Sequence, residues 1–390
     1  MSDHIINAYQ SLPVTFSHGD GCYLWDSDGK RYLDALSGIS VTSLGHNYPA
    51  VTKAIQQQAA TLLHTSNLYS ISWQQKLADL LCQTADMDRV FFANSGAEAN
   101  EAAIKLARLY GHQQGISNPQ IVVMEHAFHG RTMATLSATG SRKVQAGFEP
   151  LVAGFVRAPY NDIASIEAIA ENNRSVVAIL VEPVQGEAGI VIPAPGYLAE
   201  LRRICDQNGW LLMLDEIQSG MGRSGKMFAC QHEAVIPDVM TLAKALGNGV
   251  PVGACLASGR AADVIQPGNH GSTFGGNPLA CRTGYTVLES MLENNIAENA
   301  ALRGQQLADA LRKGLAENPD VEEVRHLGLL LAVQMKMPCQ PLVTMALEQG
   351  LLINVTAGSV IRLLPPLILS EDETAEIARI LISCIHQFTG

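Results

Sequence analysis

The chain has 390 residues, of which 47% are hydrophobic and 16% are charged, a balance typical of a globular protein that buries a large core. Its formal net charge is -11, and its lysine and arginine residues form no cluster. A nucleic-acid-binding surface and a basic membrane-binding helix are therefore not expected.

The amino-terminal sequence and the cysteines indicate a cytoplasmic protein. The first residues, "MSDHIINAYQSLPV", lack the basic start and apolar core of a signal peptide, and no apolar run approaches the length that spans a membrane. The eight cysteines are dispersed, without a C-x-x-C pair. Dispersed cysteines in apolar segments such as "GACLAS" are typical of reduced thiols in a protein core.

Two kinds of pattern follow along the chain. Near the amino terminus, "GCYLWDSDGKRYLDA" predicts a β-hairpin with a turn at Asp28–Gly29. From about residue 90 to residue 257, short apolar runs alternate with amphipathic stretches; the runs are "RVFFAN", "IVVMEH", "VVAILVEPV", "WLLMLDE" and "VGACLAS". This alternation predicts an α/β unit with a mainly parallel sheet, whose ligand chemistry collects at the carboxyl ends of the strands.

The segment "FFANSGAEANEAAIKLARLY" predicts a strand, a turn of small residues and a helix. Ser95 occupies the N-cap position, and Glu98 three residues later completes a capping box. Such a cap is commonly only structural, but Gly96 and Ala97 leave the first helical amides open, and a helix amino terminus after a strand suits a phosphate. The segment lacks both G-x-x-x-x-G-K-[ST] and G-x-G-x-x-G, which argues against a nucleotide-binding α/β enzyme.

An aromatic residue and an arginine follow the next strand, in "EHAFHGRTMATLS". Phe128 is a candidate for stacking on a flat ligand, and Arg131 is a candidate for bidentate binding of a carboxylate. The two histidines of this segment, His126 and His129, belong to no H-x-x-x-H motif or carboxylate cluster. A core or surface position is therefore favoured for both, and no metal site is predicted.

A buried strand in "WLLMLDEIQSGMGRSG" ends at Asp215. A strand-end aspartate often caps the turn that follows. Because Asp215 closes an apolar run, however, an unpaired carboxylate there would be costly, and a cationic partner is expected. Ile217 would face the same side as Asp215 if the strand continued that far.

Lys244 lies between an apolar run and a run of glycines, in "DVMTLAKALGNGVPVGA". A lone lysine is most often a solvated surface residue. Here apolar residues flank the amine on both sides, and burial would lower the pKa of Lys244. The amine would then be a nucleophile able to form an imine with an aldehyde.

The last part of the chain, after about residue 285, predicts an α+β lobe. The segment "ALRGQQLADALRKGLAEN" has helical periodicity, whereas "LGLLLAVQM" and "VIRLLPPLIL" predict strands. We find no internal repeat and no low-complexity linker.

An imine-forming lysine, a strand-end aspartate, a helix suited to phosphate and a stacking aromatic together predict a pyridoxal 5'-phosphate (PLP) site. The aldehyde would bind Lys244, the pyridinium nitrogen Asp215, and the phosphate Gly96 and Ala97.

With these segments in place, the chain resembles the class III, or ω-amino-acid, aminotransferases of PLP fold type I over essentially its full length. The resemblance runs through "GCYLWDSDGKRYLDALSG", "SLGHNYP", "NSGAEANEAAIKLAR", "FHGRT", "EPVQGEAG", "LDEIQSGMGRSG", "LAKALGNGVPVGA", "GSTFGGNPLAC" and "RLLPPL". It implies an α/β fold with a large domain on a mainly parallel seven-stranded sheet and a smaller α+β lobe built from both chain ends. The implied division is an amino-terminal segment 1–55, a PLP-binding domain 56–284 and a carboxyl-terminal domain 285–390.

The resemblance also implies roles for individual residues. Lys244 would be the Schiff-base lysine and proton shuttle, and Asp215 the partner of the ring nitrogen. The other implied cofactor contacts are Ser95, Gly96 and Ala97 at the phosphate, Phe128 and Ile217 on the ring faces, Gln218 at the ring hydroxyl, and Thr273, which would reach the phosphate of the neighbouring subunit in an obligate homodimer. The implied substrate-binding residues are Arg131, Glu187, Ser272, Arg362 and Ile39.

Three of these residues would handle two differently charged substrates. Arg131 would bind the α-carboxylate. Glu187 would neutralise Arg362 when the substrate presents a δ-amine, and Arg362 would be freed for the second carboxylate when 2-oxoglutarate enters. A surface ion pair is the alternative for Glu187 and Arg362.

The implied reaction is transfer of the δ-amino group of N2-acetylornithine to 2-oxoglutarate, in arginine biosynthesis. Succinylornithine, ornithine, 4-aminobutyrate and lysine-pathway substrates are alternative amino donors. Ile39 stands where ornithine-specific members carry a tyrosine, which favours an acylated donor. A non-catalytic protein on the same fold is a further alternative, and the retention of Lys244, Asp215, Arg131 and Glu187 argues against it.

Overall fold

The computed structural model describes residues 4–390, so the first three residues of the predicted segment 1–55 lie outside the described part. The strands are β1 (Phe16–Asp20), β2 (Tyr23–Asp26), β3 (Arg31–Asp34), β4 (Arg89–Ala93), β5 (Gln120–Met124), β6 (Phe155–Ala158), β7 (Val176–Val181), β8 (Leu211–Asp215), β9 (Val239–Leu242), β10 (Gly253–Ala257), β11 (Val321–Leu327), β12 (Leu330–Met335), β13 (Leu351–Leu352), β14 (Asn354–Thr356) and β15 (Val360–Leu363). The helices are α1 (Ser37–Ser40), α2 (Pro49–Thr61), α3 (Ser72–Ala85), α4 (Gly96–Gln113), α5 (Met133–Ala138), α6 (Arg142–Gln145), α7 (Ile163–Asn172), α8 (Tyr197–Asn208), α9 (Pro278–Glu293), α10 (Ile296–Gly314), α11 (Pro341–Glu348) and α12 (Glu371–Thr389). Short 3-10 helices cover Ala229–His232, Lys244–Leu246 and Gly259–Ala261.

The large sheet has seven strands in the order β4-β10-β9-β8-β7-β5-β6. Neighbouring strands from β9 to β6 pair in parallel, whereas β10 runs antiparallel to both β9 and β4. The predicted α/β fold with a mainly parallel sheet is confirmed, and the five predicted runs form β4, β5, β7, β8 and β10. The patterns did not predict β6 and β9, which are short and interrupted by the polar residues Arg157 and Thr241.

Burial on both faces explains why the central strands are apolar throughout. All residues of β7 and β8 are buried. Alternate residues of β8 belong to separate apolar clusters, with Leu212 and Leu214 in one and Leu211 and Met213 in the other. Because parallel strands end on the same edge, the loops that follow β5, β7, β8 and β9 meet there.

Both chain ends meet in a second sheet with the order β1-β2-β3-β13. The predicted hairpin is confirmed, since β2 and β3 pair antiparallel and Gly29 turns the chain with a φ of 83°. Strand β13, from the last quarter of the chain, pairs in parallel with β3. The smaller lobe is therefore built from both ends of the chain, as expected.

The third sheet has the order β11-β12-β15-β14 and shortens two predicted strands. The strand predicted in "LGLLLAVQM" is confirmed as β12, but it begins only at Leu330, because β11 ends at Leu327 and Gly328 turns the chain between them with a φ of 57°. Leu329 is fully buried, so the turn has none of the polar residues that mark most turns. Of "VIRLLPPLIL" only Val360–Leu363 is a strand, since the prolines that follow cannot donate to a ladder.

The domain boundaries stay a prediction. Residue 55 lies inside α2 and residue 284 inside α9, and these two helices pack against each other. Across residues 4–390, none of the helices combines the length and the apolar character needed to cross a membrane.

Candidate active site

A cavity of about 450 Å³ opens where the loops after β5, β7, β8 and β9 meet. Most of the site residues predicted from the sequence line it, although they come from segments far apart in the chain. They are Ser95, Gly96, Ala97, Phe128, Arg131, Glu187, Asp215, Ile217, Gln218 and Lys244.

One end of the cavity is the amino terminus of α4. Ser95 is its N-cap, and its hydroxyl accepts a hydrogen bond from the Glu98 amide at 3.2 Å, as predicted. The returning half of the capping box differs, because the Glu98 carboxylate accepts from the main-chain N–H of Asn94 at 2.7 Å rather than from Ser95. Gly96 and Ala97 are the first residues of α4, where main-chain amides have no partner within the helix, and both residues line the cavity, which suits an anion.

Asp215 ends β8 and is held by a buried hydrogen-bond network. Its Oδ2 accepts from Asn100 Nδ2 at 2.8 Å and lies 2.8 Å from His129 Nδ1, while its Oδ1 accepts from the Ile217 amide at 3.1 Å. Thr241 in turn donates to Asn100 Oδ1 at 2.8 Å. The network fixes the orientation of a carboxylate that lines the cavity.

His129 is a core histidine, one of the two positions favoured for it. Its side chain is fully buried, and its Nδ1 contacts Asp215. Its Nε2 is buried with no hydrogen-bond partner in the described part of the chain. Among residues 4–390 no group of histidine, cysteine, aspartate and glutamate side chains is arranged to hold a metal ion.

Lys244 follows β9 and starts a 3-10 turn with a φ of 42°. The neighbours Ala243, Ala245 and Leu246 are buried, as the apolar flanks predict. Burial lowers the pKa of Lys244, and the nearby Glu187 only partly opposes that effect. The amine is therefore more readily neutral and nucleophilic than a surface lysine.

Glu187, which lines the cavity, forms an ion pair with Arg362, with 2.6 Å between Oε1 and Nη1. Arg362 also donates to the main-chain oxygen of Gly186 at 3.1 Å, and its side chain is only 1% exposed, which excludes a surface ion pair. Burial would raise the pKa of Glu187, but Arg362, together with Lys244 and Gln218, holds that pKa below its usual value. Gln218 Nε2 lies 3.5 Å from the same Glu187 oxygen.

Glu182 lines the cavity but did not emerge from the sequence. Its carboxylate is buried and accepts from the Phe128 amide at 2.8 Å and from the Gly186 amide at 3.3 Å. Burial raises the pKa of Glu182 to about 7, with His129 opposing. Its position in the sequence could have identified it, because Glu182 follows the apolar run of β7 just as Asp215 ends that of β8.

Phe128 and Arg131 lie together, with the guanidinium carbon 5.6 Å from the ring centroid. Four predicted residues do not line the cavity of this chain, namely Ile39, Ser272, Thr273 and Arg362, although Arg362 contacts the lining residue Glu187. Ile39 takes a left-handed φ of 66° in α1, and Ser272 accepts from Asn94 Nδ2 at 3.2 Å. Thr273 lies on the exposed surface.

These residues fit PLP. The buried lysine amine suits its aldehyde, the open amides of α4 suit its phosphate, and the anchored Asp215 suits its ring nitrogen. Gln218 Oε1 is buried without a hydrogen-bond partner in the described residues, and so can accept from a ring hydroxyl.

The sequence matches the family model "Aminotransferase class-III" over residues 5–385, and the chain belongs to this family. It is therefore a PLP-dependent aminotransferase. It is 55% identical to an acetylornithine aminotransferase of Nitrosomonas europaea, over 96% of this chain and 95% of that relative. It is 51% identical to acetylornithine aminotransferase 1 of Bordetella bronchiseptica, over 100% of this chain and 99% of that relative.

Solved structures of aminotransferases have the same fold as this chain. The ornithine aminotransferase of Toxoplasma gondii superimposes with a TM-score of 0.96 at 33% identity, covering 99% of this chain and 93% of that one. The acetylornithine aminotransferase of Elizabethkingia anophelis superimposes with a TM-score of 0.89 at 35% identity, covering 99% and 97%.

Proposed function

We propose that this aminotransferase moves the δ-amino group of N2-acetyl-L-ornithine to 2-oxoglutarate, giving N-acetyl-L-glutamate 5-semialdehyde and L-glutamate in arginine biosynthesis. The relatives named as acetylornithine aminotransferases, which match over almost their full length, support this substrate. The observation that carries the proposal is the 2.6 Å ion pair of Arg362 with Glu187, since Glu187 lines the cavity together with Lys244 and Arg131.

PLP would be held at several points of the cavity. Ser95, Gly96 and Ala97 would bind its phosphate, and Asp215 its ring nitrogen. The remaining contacts would be Phe128 and Ile217 on the ring faces and Gln218 at the ring hydroxyl. Bound PLP supplies an aldehyde that joins an amine and a ring that accepts electrons.

Lys244 would move the proton. Because burial lowers its pKa, Nζ can accept a proton from the substrate carbon as a general base and return it as a general acid. The anchored carboxylate of Asp215 would keep the ring nitrogen protonated, since an adjacent anion favours the cationic form.

Arg131 would bind the α-carboxylate of acetylornithine, and the Glu187–Arg362 pair would adapt the end of the site at which the δ-amine reacts, close to Lys244. With the pair closed, the guanidinium is neutralised and a protonated δ-amine is tolerated. With Glu187 turned away, Arg362 can bind the second carboxylate of 2-oxoglutarate. Glu187 is about one-third exposed, which leaves it more freedom to turn than the buried Arg362.

Two predicted residues would act from outside this cavity. We assign Thr273 to the cofactor phosphate of a neighbouring subunit, and Ser272 and Ile39 to the substrate side of the assembled site. This assignment requires a homodimer with shared active sites. We place the enzyme in the cytoplasm, and we retain the division into segments 1–55, 56–284 and 285–390.

A panel of amino donors with 2-oxoglutarate tests the substrate. N2-acetylornithine is expected to give the highest kcat/KM among acetylornithine, succinylornithine, ornithine and 4-aminobutyrate. A higher kcat/KM for succinylornithine would leave the proposed roles of the site residues unchanged and would replace acetyl with succinyl as the preferred acyl group. A higher value for ornithine or 4-aminobutyrate would contradict the proposal.

Replacing Glu187 with alanine tests the switch. The unpaired Arg362 should repel the δ-ammonium of acetylornithine while still binding the carboxylate of glutamate. Single-turnover conversion of the cofactor should therefore slow at least about tenfold with acetylornithine but not with glutamate, a selectivity of about 1.4 kcal/mol. Glu200→Ala, which removes an exposed ion pair with Arg203, is the control. Equal slowing with both donors would show that Glu187 has only a structural role.

A further inference from the structure

Arg223 is a buried cation that the proposed site does not use. Its side chain is 0% exposed, and no carboxylate of residues 4–390 forms an ion pair with it. Burial lowers the pKa of Arg223 to about 9, and the more distant Asp34 only partly opposes this. Its Nε is buried and, within the described residues, has no hydrogen-bond partner.

The guanidinium connects three separate segments. Its Nη1 donates to the main-chain oxygens of Leu329, at 3.3 Å, and of Pro365. Its Nη2 donates to Ser43 Oγ at 2.9 Å. One side chain thus ties the amino-terminal segment, the turn between β11 and β12, and the segment after β15 to the loop that follows Asp215.

Stability alone does not explain an arginine here. A buried charge without an ion-pair partner is costly, and a well-packed apolar side chain of similar volume is often as stable or more stable. An arginine offers in addition a planar set of donors with fixed geometry. The contribution of Arg223 is therefore the relative orientation of the segments that it joins.

The segments that Arg223 joins lead to the substrate site. Pro365 lies three residues after Arg362, the partner of Glu187. The main chain around the junction is closely packed, because a Cβ on Gly328 would lie 2.4 Å from the carbonyl carbon of Ser224. A second hydrogen bond, from the Leu329 amide to the Arg223 carbonyl at 3.0 Å, closes the junction. A shift of the guanidinium therefore cannot be absorbed locally.

We propose that Arg223 is a positioning residue, which fixes the end of β15 against the loop after Asp215 and so places Arg362 opposite Glu187 and Lys244. The inference rests on the proposed function, because it assumes that Arg362 binds the second carboxylate of 2-oxoglutarate. Loss of the hydrogen bonds of the Arg223 guanidinium should therefore weaken binding of a second carboxylate by Arg362. Binding of the first carboxylate by Arg131 should not change.

Binding of unreactive acids to the holoenzyme tests this directly. Glutarate has two carboxylates at the spacing of 2-oxoglutarate, and butyrate has one. Arg223→Lys should raise the Kd of glutarate about tenfold or more, or about 1.4 kcal/mol, and change that of butyrate less than about twofold. Arg202→Met is the matched control, because it removes an arginine from Asp238 at the opposite end of β9 and should alter neither Kd.

A double-mutant cycle shows whether Arg223 acts through Arg362. In an Arg362→Lys background, Arg223→Lys should add little further loss of glutarate affinity, since coupled residues are not additive. Arg223→Met is a second variant, and if it does not fold, Arg223→Lys alone decides. Equal losses for glutarate and butyrate, or additive losses in the cycle, would overturn the proposal.

Wild-type turnover with acetylornithine and 2-oxoglutarate separates this test from that of the proposed function. If the wild-type enzyme turns over acetylornithine and the Arg223→Lys variant binds glutarate normally, only the positioning role of Arg223 is rejected. If the wild-type enzyme does not use acetylornithine but the Arg223→Lys variant selectively loses glutarate binding, the proposed substrate is rejected and the positioning role is supported.

Discussion

At the residue scale, burial disfavours the charged form of two ionisable groups of the cavity, Lys244 and Glu182, with different consequences. Burial favours the neutral amine of Lys244, which makes it nucleophilic. Burial also favours the protonated carboxyl of Glu182, whose pKa rises to about 7. Each effect leads to a separate experiment.

Replacing Lys244 with alanine removes the nucleophile and the proton acceptor together. Turnover of acetylornithine with 2-oxoglutarate should fall by several orders of magnitude, roughly a thousandfold or more. Part of the PLP should remain bound through Asp215, Phe128 and the amino terminus of α4. The absorbance of the cofactor released on denaturation measures the amount of bound PLP. Lys313→Ala, on α10, is the control. Near-normal turnover of Lys244→Ala with both substrates saturating would refute the mechanism.

Glu182 predicts a pH-dependent stability. Between its ordinary value of 4.5 and its folded pKa of about 7, the folded protein retains a proton that the unfolded chain has released. Stability from this group is therefore present at low pH and is lost as the pH rises through that window. The Glu182→Gln variant cannot titrate at this position. In the cofactor-free protein, the urea midpoint of the variant minus that of the wild type should therefore increase between about pH 5 and about pH 8. Exposed Glu200→Gln should show no such trend, and a constant difference for Glu182→Gln would disprove the idea.

At the element scale, the amino terminus of α4 depends on a residue without a side chain. A Cβ on Gly96 would lie 2.8 Å from Cδ1 and 3.0 Å from Cγ2 of Ile217, which lines the cavity. The methyl group would push Ile217 from its place and narrow the approach to the first helical amides. Helix propensity has the opposite sign, although Gly96, as the first residue of α4, should gain less than the roughly 1 kcal/mol by which alanine is favoured over glycine in a helix interior.

Gly96→Ala should therefore weaken the cofactor site without weakening the fold. The Kd of PLP should rise about tenfold, or about 1.4 kcal/mol, while the melting temperature of the cofactor-free protein stays the same or increases slightly. Fluorescence titration of the cofactor-free protein with PLP and thermal melting measure the two quantities. A fall in melting temperature with unchanged PLP affinity would contradict this account of Gly96.

Local patterns predicted the elements well and their contacts poorly. Ser95 was recognisable as a cap because a cap and its helix are adjacent in sequence. Asn100 and Asp215 are 115 residues apart, so no local pattern could show that Asn100 and His129 hold this carboxylate. The buried turn at Gly328 was missed for the converse reason, since burial had removed the polar residues that mark a turn.

At the scale of the whole molecule, an ion pair at the cavity connects the two lobes, but the cavity does not contain every predicted residue. Arg362 comes from β15 in the smaller lobe and pairs with Glu187 of the larger one. Thr273 lies outside, near large apolar side chains that are exposed in one chain: Leu68 is 86%, Tyr69 70% and Phe274 60% exposed. Asn67 joins these two segments through hydrogen bonds to the main-chain oxygens of Ser272 and Gly275, at 3.2 and 2.9 Å. An exposed apolar surface of this kind is typical of a protein interface.

The proposed homodimer predicts that two inactive variants will complement each other. Thr273→Glu would place a negative charge against the phosphate of the neighbouring subunit, and Lys244→Ala would disable the site of its own subunit. In a mixed dimer, one site then contains both defects and the other contains neither. Differently tagged subunits, mixed by co-expression and purified through both tags, should therefore recover about half of the wild-type activity per dimer, whereas each variant alone stays inactive. If Thr273 served only its own chain, every site of the mixed dimer would have one defect, and the absence of recovered activity would disprove the shared site.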